Sequence, residues 1–105
     1  MPLLAADVTG TWDFQVELSI GSGSPTFIFE QKGEELTGTY KGLLGELQVR
    51  GTVKGDKIEF SFDFEYGGER GTARYRGTVE SADSMKGEVD YAGQATGTFT
   101  AKKRP

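Results

Sequence analysis

Residues 51–64 read GTVKGDKIEFSFDF. Apolar and polar side chains alternate on both sides of Gly55-Asp56, a dipeptide typical of a two-residue hairpin turn. With this turn Val53 lies opposite Ile58, and inward residues meet inward residues along the whole hairpin. The stretch therefore predicts an antiparallel β-hairpin with one buried face and one solvated face.

A short phrase from this hairpin, glycine followed by threonine and an aromatic or β-branched residue, occurs five times in the chain. The copies are Gly10-Thr11-Trp12, Gly38-Thr39-Tyr40, Gly51-Thr52-Val53, Gly77-Thr78-Val79 and Gly97-Thr98-Phe99. The hairpin register places Gly51 directly opposite the ring of Phe60. We interpret the phrase as follows: the glycine leaves room for a ring so that the strand can bend, the third residue fills the core, and the threonine faces water.

Turn signals rich in Gly, Pro, Ser and Asp recur along the chain. Seven of them, the first at Gly21 to Pro25, divide it into eight short strands. Hairpins at Gly33-Glu34 and Gly67-Gly68 place the same residues on the inward face as the alternation of apolar and polar residues does by itself. Such strands can form two stacked sheets or close into a barrel, and closure removes exposed edges. We predict an all-β, eight-stranded antiparallel up-and-down barrel of residues 8–103, preceded by a flexible segment, residues 1–7.

The composition excludes several classes of site and partner. The chain has 105 residues, a single-domain length, and a net charge of −4 with both signs interspersed, which argues against nucleic acid as a partner. It contains no cysteine and no histidine, so Ser-His-Asp triads and the usual zinc or copper sites are excluded, and we expect no cofactor. The apolar runs are too short to cross a bilayer, so we expect no membrane insertion.

Two segments, Val8-Thr9-Gly10-Thr11-Trp12 and Leu36-Thr37-Gly38-Thr39-Tyr40, resemble the first and third strands of the avidin and streptavidin family. The wider calycin group, which includes lipocalins and some bacterial protease inhibitors, commonly begins its barrel with a similar Gly-x-Trp. The resemblance implies a barrel of this type, and Tyr40 matches a tyrosine that touches the ligand in avidins. It does not imply biotin binding, because Phe14 stands where avidins have a polar Asn and Trp12 is the only tryptophan.

The inward positions are almost all apolar, and tyrosine hydroxyls supply most of their polar groups, with Gln31 near one rim. If the barrel holds a cavity, such a wall suits a small apolar or aromatic ligand. The residues predicted to contact this ligand are Trp12, Phe14, Tyr40, Tyr75, Tyr91 and Phe99. The alternative is a barrel filled by its own side chains. It would serve as a protein-interaction or protease-inhibitor-like module, and Pro2 to Asp7 would be available to enter a partner's cleft.

Charged residues are frequent on the solvated face of the strands between Glu59 and Arg76. Glu59 lies opposite Arg76, and Glu65 lies opposite Arg70, which predicts exposed cross-strand ion pairs and not catalytic carboxylates. We therefore expect a protein without enzymatic activity.

The first residues carry a further expectation. Residues Pro2 to Asp7 resemble the tail of an apolar segment that ends in small residues before a signal-peptidase site. This pattern predicts a secreted or periplasmic protein. An ordinary frayed terminus is the alternative interpretation.

Overall fold

The computed structural model describes residues 7–93 and 95–104, except for the side chain of Tyr66. These residues form nine β-strands, and among them no helical segment has the length and apolar character needed to cross a membrane. The strands are β1 (Gly10–Leu18), β2 (Gly21–Gly23), β3 (Thr26–Lys32), β4 (Glu35–Gly42), β5 (Gly45–Lys54), β6 (Lys57–Tyr66), β7 (Glu69–Ser81), β8 (Ser84–Tyr91) and β9 (Ala95–Lys103).

Eight of these strands close into the predicted antiparallel up-and-down barrel of the lipocalin- and streptavidin-like class. Each strand from β3 to β9 pairs with the next, and β1 closes the barrel by pairing with both β3 and β9. The register confirms the predicted hairpins, since Val53 faces Ile58 and Phe60 faces Tyr75.

The short strand β2 was not predicted, because its residues belong to the segment interpreted as the first turn. β3 covers β1 only from Gly10 to Asp13, so the second half of β1 has an open edge on that side. The chain turns back after Leu18 and pairs Gly21–Gly23 with this edge. The pairing satisfies backbone groups that β3 does not reach.

The antiparallel order places the turns alternately at two ends of the barrel. The end that carries the β1–β2, β4–β5, β6–β7 and β8–β9 turns is called the upper end. The lower end holds the β3–β4, β5–β6 and β7–β8 turns, the start of β1 and the end of β9. Backbone hydrogen bonds join neighbouring lower turns, since the Val53 amide donates to the Glu34 carbonyl at 2.9 Å and the Val79 amide to the Asp56 carbonyl at 2.7 Å.

Glycines of the repeated phrase lie where neighbouring strands approach closely. A Cβ atom on Gly51 would overlap the carbonyl oxygen of Glu59, and one on Gly97 would overlap that of Glu17. We expected from the sequence that these glycines leave room for a ring. In the structure the neighbouring backbone occupies most of that space. Ring contact is secondary, as at Gly38, where a Cβ atom would lie 3.1 Å from a ring carbon of Phe29.

The middle of the barrel is filled by aromatic rings packed around Phe14. Five ring centroids lie 4.5–6.3 Å from that of Phe14, which belong to Phe27, Phe29, Phe60, Tyr75 and Phe99. Within the described residues, no polar or charged residue is fully buried apart from tyrosine and tryptophan. These ring contacts form the centre of the apolar core that holds the barrel together.

Candidate functional site

The lower end of the barrel is sealed by apolar side chains. Trp12, Leu36, Val53 and Ile58 are 0% exposed there. Val8 covers them from the chain start: its carbonyl accepts a 2.9 Å hydrogen bond from Trp12 Nε1. Its amide donates to Gln31 Oε1 at 2.9 Å, so the glutamine predicted near one rim helps to close this end.

The upper end is different, because five of its apolar side chains are only half-buried. They pack on the core and remain partly open to solvent: Leu18, Leu44, Leu47, Phe64 and Tyr91. The rings form one connected layer, in which Tyr40 stacks on Phe62 at 4.6 Å between centroids and Phe64 lies 5.7 Å from Tyr91. An apolar layer of this kind, open at one side, can receive the flat face of an aromatic molecule.

Three tyrosine hydroxyls bring polar groups into this layer. The hydroxyls of Tyr75 and Tyr91 are 3.2 Å apart and share a hydrogen bond, and the Tyr40 hydroxyl accepts a hydrogen bond from the Leu44 amide at 3.4 Å. Burial raises the pKa of all three phenols above its ordinary value. The phenols are therefore neutral at physiological pH, and each can donate or accept a hydrogen bond.

The raised pKa values predict how the protein responds to alkali. In the unfolded chain these phenols ionise near their ordinary pKa of about 10, while the native state keeps its protons to higher pH. Linkage then requires the free energy of unfolding to be unaffected below that pH and to fall as pH rises above it. We expect the phenolate absorbance of Tyr40, Tyr75 and Tyr91 to appear together with loss of the β-sheet circular dichroism. Full phenolate absorbance from a folded barrel would contradict this assignment.

The six residues predicted to contact a ligand fall into three groups. Tyr40, Tyr75 and Tyr91 come together towards the upper end, and Phe14 and Phe99 stack in the middle with centroids 5.1 Å apart. Trp12 lies at the sealed lower end. The structure thus brings three of the six together, of which Tyr91 is partly exposed while Tyr40 and Tyr75 are buried, and ligand contact by any of the six stays a prediction.

The sequence reasoning missed how apolar the upper rim is. Leu44 packs on the core from the β4–β5 turn, while its neighbour Leu43 is 89% exposed and Ile20, in the β1–β2 turn, is 77% exposed. Leu43 and Leu44 fall in a segment interpreted as a turn, Gly42 to Gly45, and Ile20 lies just before the first turn signal, so all three are outside the alternating pattern. Assigning each turn to one end of the barrel would have shown that these residues lie at the same end as Phe64 and Tyr91.

The predicted ion pairs on the outer face form only in part. Arg70 Nε lies 3.1 Å from Glu65 Oε2, as expected. Glu59 and Arg76 are opposite each other in the register, yet no ion pair within 4 Å joins them. Register fixes which Cα atoms face each other, whereas long exposed side chains choose their own rotamers. Among the described residues no group of acidic side chains is arranged to hold a metal ion.

Comparison with known proteins yields similar folds only. No family model and no curated protein matches the chain. A redesigned β-barrel is similar with a TM-score of 0.77 and 15% identity, over 93% of this chain and 92% of that one. The redesigned barrel mFAP1, bound to DFHBI, is similar with a TM-score of 0.65 and 15% identity, over 92% and 94% of the two chains. A de novo designed fluorescence-activating β-barrel gives a TM-score of 0.61 and 21% identity, over 99% and 100%. The chain shares the fold of these small closed barrels.

Proposed function

We propose that this protein is a non-enzymatic binding domain that holds a small aromatic or apolar ligand at the upper end of its barrel. One observation carries the proposal: the lower end is covered by fully buried apolar side chains and, among the described residues, leaves Val79 alone half-buried, whereas the upper end leaves an apolar layer of five half-buried side chains. A fold that needed only a filled core would gain stability by covering both ends.

The filled middle of the barrel determines where the ligand would lie. Because rings occupy the space around Phe14, the ligand rests on Phe64 and Tyr91 and does not enter the centre. Its polar edge can reach the Tyr91 hydroxyl, which shares a hydrogen bond with the buried hydroxyl of Tyr75. One comparison supports the proposal, since mFAP1, a barrel of the same fold, binds DFHBI, a small aromatic dye.

Titration with DFHBI, followed by the dye's fluorescence, tests the proposal. We expect saturable binding that Phe64→Leu weakens about five-fold, because leucine keeps much of the apolar bulk but removes the stacked ring. Val79→Ala is the matched control, since Val79 is also half-buried and packs on the core, but lies near the β7–β8 turn at the lower end. This control should bind the dye as the unmodified protein does.

The titration has two outcomes that contradict the proposal. One is the absence of binding up to about 1 mM dye, the weakest affinity that a specific site of this kind would show. The other is an equal loss of dye affinity in Phe64→Leu and Val79→Ala, which would mean that both substitutions act by loosening the core.

A protein-interaction module is the second candidate, and the exposure of Ile20 and Leu43 favours it. Large apolar side chains that stand free at the same end of a small domain are typical of contact surfaces for other proteins. In this case Ile20→Ser and Leu43→Ser would weaken partner binding, and DFHBI would not bind. The inhibitor-like use of Pro2 to Asp7 lies outside the described residues except for Asp7.

Two further expectations stay proposals. The outward orientation of the charged residues supports the absence of enzymatic activity, since no carboxylate of the described residues is buried in the barrel interior. Export to the periplasm or the medium rests on the character of residues 2–7 alone, and subcellular fractionation tests it.

A further inference from the structure

A charged groove crosses the outer face of the barrel. It has a volume of about 830 Å³ and crosses strands β5 to β9. Its polar side chains are Arg50, Thr52, Glu59, Ser61, Arg74, Arg76, Glu88, Asp90, Thr96 and Thr98. The volume falls in the range of ligand sites, although this site is open along its length.

Glycines account for a concave region on the outside of a barrel. Gly51 and Gly97 both line the groove, and they are glycines at which a Cβ atom would overlap a neighbouring carbonyl. Glycine permits a sharp bend in the sheet where the backbones come this close. The threonines of the same two phrases, Thr52 and Thr98, face the groove. The repeated phrase therefore shapes this site as well as the core.

Strand register arranges the three arginines around one serine. Ser61 lies between Arg50 on β5 and Arg74 on β7, and Arg76 is two residues further along β7 on the same face. In the part of the chain that the structure describes, none of the three guanidinium groups makes an ion pair or a side-chain hydrogen bond. They are thus available to a ligand, although carboxylates stand opposite Arg74 and Arg76 in the register.

A second, smaller concavity of about 340 Å³ extends the groove towards the lower end. It shares Thr52, Glu59 and Arg76 with the first and adds Lys54 and Lys57. Together the two carry five cationic side chains and three anionic ones, on a chain whose net charge is −4. This surface is therefore locally positive on an acidic protein, which favours a ligand with negative charge.

We propose that the groove binds an acidic sugar chain, a ligand that combines carboxylates with many hydroxyls. Guanidinium groups form paired hydrogen bonds with carboxylates, which suits Arg50, Arg74 and Arg76. The carboxylates of Glu59 and Glu88 accept hydrogen bonds from hydroxyls, and the serine and threonines both donate and accept. A ligand with carboxylates alone has no hydroxyl to donate to these acidic residues, so the hydroxyls are part of the match.

Calorimetric titration with tetragalacturonate tests the proposal, with the uncharged sugar maltotetraose and the peptide tetraglutamate as comparison ligands. We expect tetragalacturonate to bind and the other two to bind at least about ten-fold more weakly, since each lacks one half of the recognised chemistry. Binding should weaken as salt is added, because the contacts are between charges near the surface.

Two arginine variants provide the internal control. Arg74→Gln removes a groove guanidinium and should weaken binding about ten-fold. Arg70→Gln removes the same group from the same strand and face, but Arg70 pairs with Glu65 outside the groove, so binding should stay within about two-fold. Any one of four results would overturn the proposal. They are no binding of tetragalacturonate, equally tight binding of maltotetraose, equally tight binding of tetraglutamate, and an equal loss of affinity in both variants.

Discussion

Replacing Gly97 by alanine should destabilise the barrel by about 3 kcal/mol or more, an unusually large effect for the addition of one methyl group. The added Cβ would overlap the carbonyl oxygen of Glu17 and lie 2.8 Å from the Cα atom of Leu18. Both obstacles are backbone of β1, so they cannot move without opening the β1–β9 pairing that closes the barrel. Urea unfolding followed by circular dichroism measures the loss.

Gly23→Ala is the matched control for this change. Gly23 also lies in a strand that pairs with β1, but a Cβ atom there meets nothing within 4 Å. Its effect on the free energy of unfolding should stay within about 0.5 kcal/mol. Equal stability of the Gly97→Ala and Gly23→Ala variants would contradict the close approach of the backbones at Gly97.

Replacing Phe14 by alanine should cost about 3–5 kcal/mol of folding free energy, the range for removal of a fully packed ring. Phe14 is 2% exposed and lies at the centre of the ring cluster, so its loss leaves a cavity that the surrounding strands cannot collapse into. Chemical denaturation with far-ultraviolet detection gives the value.

Leu43→Ala removes a side chain of similar apolar character that is 89% exposed. It should change the free energy of unfolding by less than about 0.5 kcal/mol. If Phe14→Ala proved as mild as this control, the middle of the barrel would not be filled as described, and a ligand in the centre would become the better interpretation.

Much of the fold could be predicted because the alternation of apolar and polar residues indicates which face of a strand each residue occupies. Phe60 and Tyr75 are 15 positions apart, and their pairing followed from the position of the Gly67-Gly68 turn alone. The strand β2 could not be predicted in this way. Its three residues are Gly-Ser-Gly, which carry no apolar alternation, and their pairing depends on where β3 leaves the edge of β1 open.

The candidate site was predicted in part, for a related reason. Alternation tells which face a residue occupies but not how deep along the barrel it lies. Trp12 and Tyr75 share the inward face, yet one lies at the sealed end and the other bonds to Tyr91 in the open layer. Depth depends on the stagger between strands around the whole barrel, which short hairpins do not reveal.

The two proposed sites can be tested separately, because they occupy different faces of the sheet. Phe64 and Tyr91 belong to the interior layer, whereas Arg50 and Arg74 point outwards from β5 and β7, the strands on either side of β6. Arg74→Gln should therefore leave DFHBI binding unchanged, and Phe64→Leu should leave tetragalacturonate binding unchanged. A loss of both activities from either change would indicate damage to the fold.

The central claim is the asymmetry between the two ends of the barrel. The most direct test maps the DFHBI-binding site by the changes in backbone amide chemical shifts on addition of the dye. The account predicts shifts at the upper end, around Leu44, Phe64 and Tyr91, and unchanged signals around Trp12 and Ile58. Shifts centred on the lower end, or spread evenly over both ends, would contradict it.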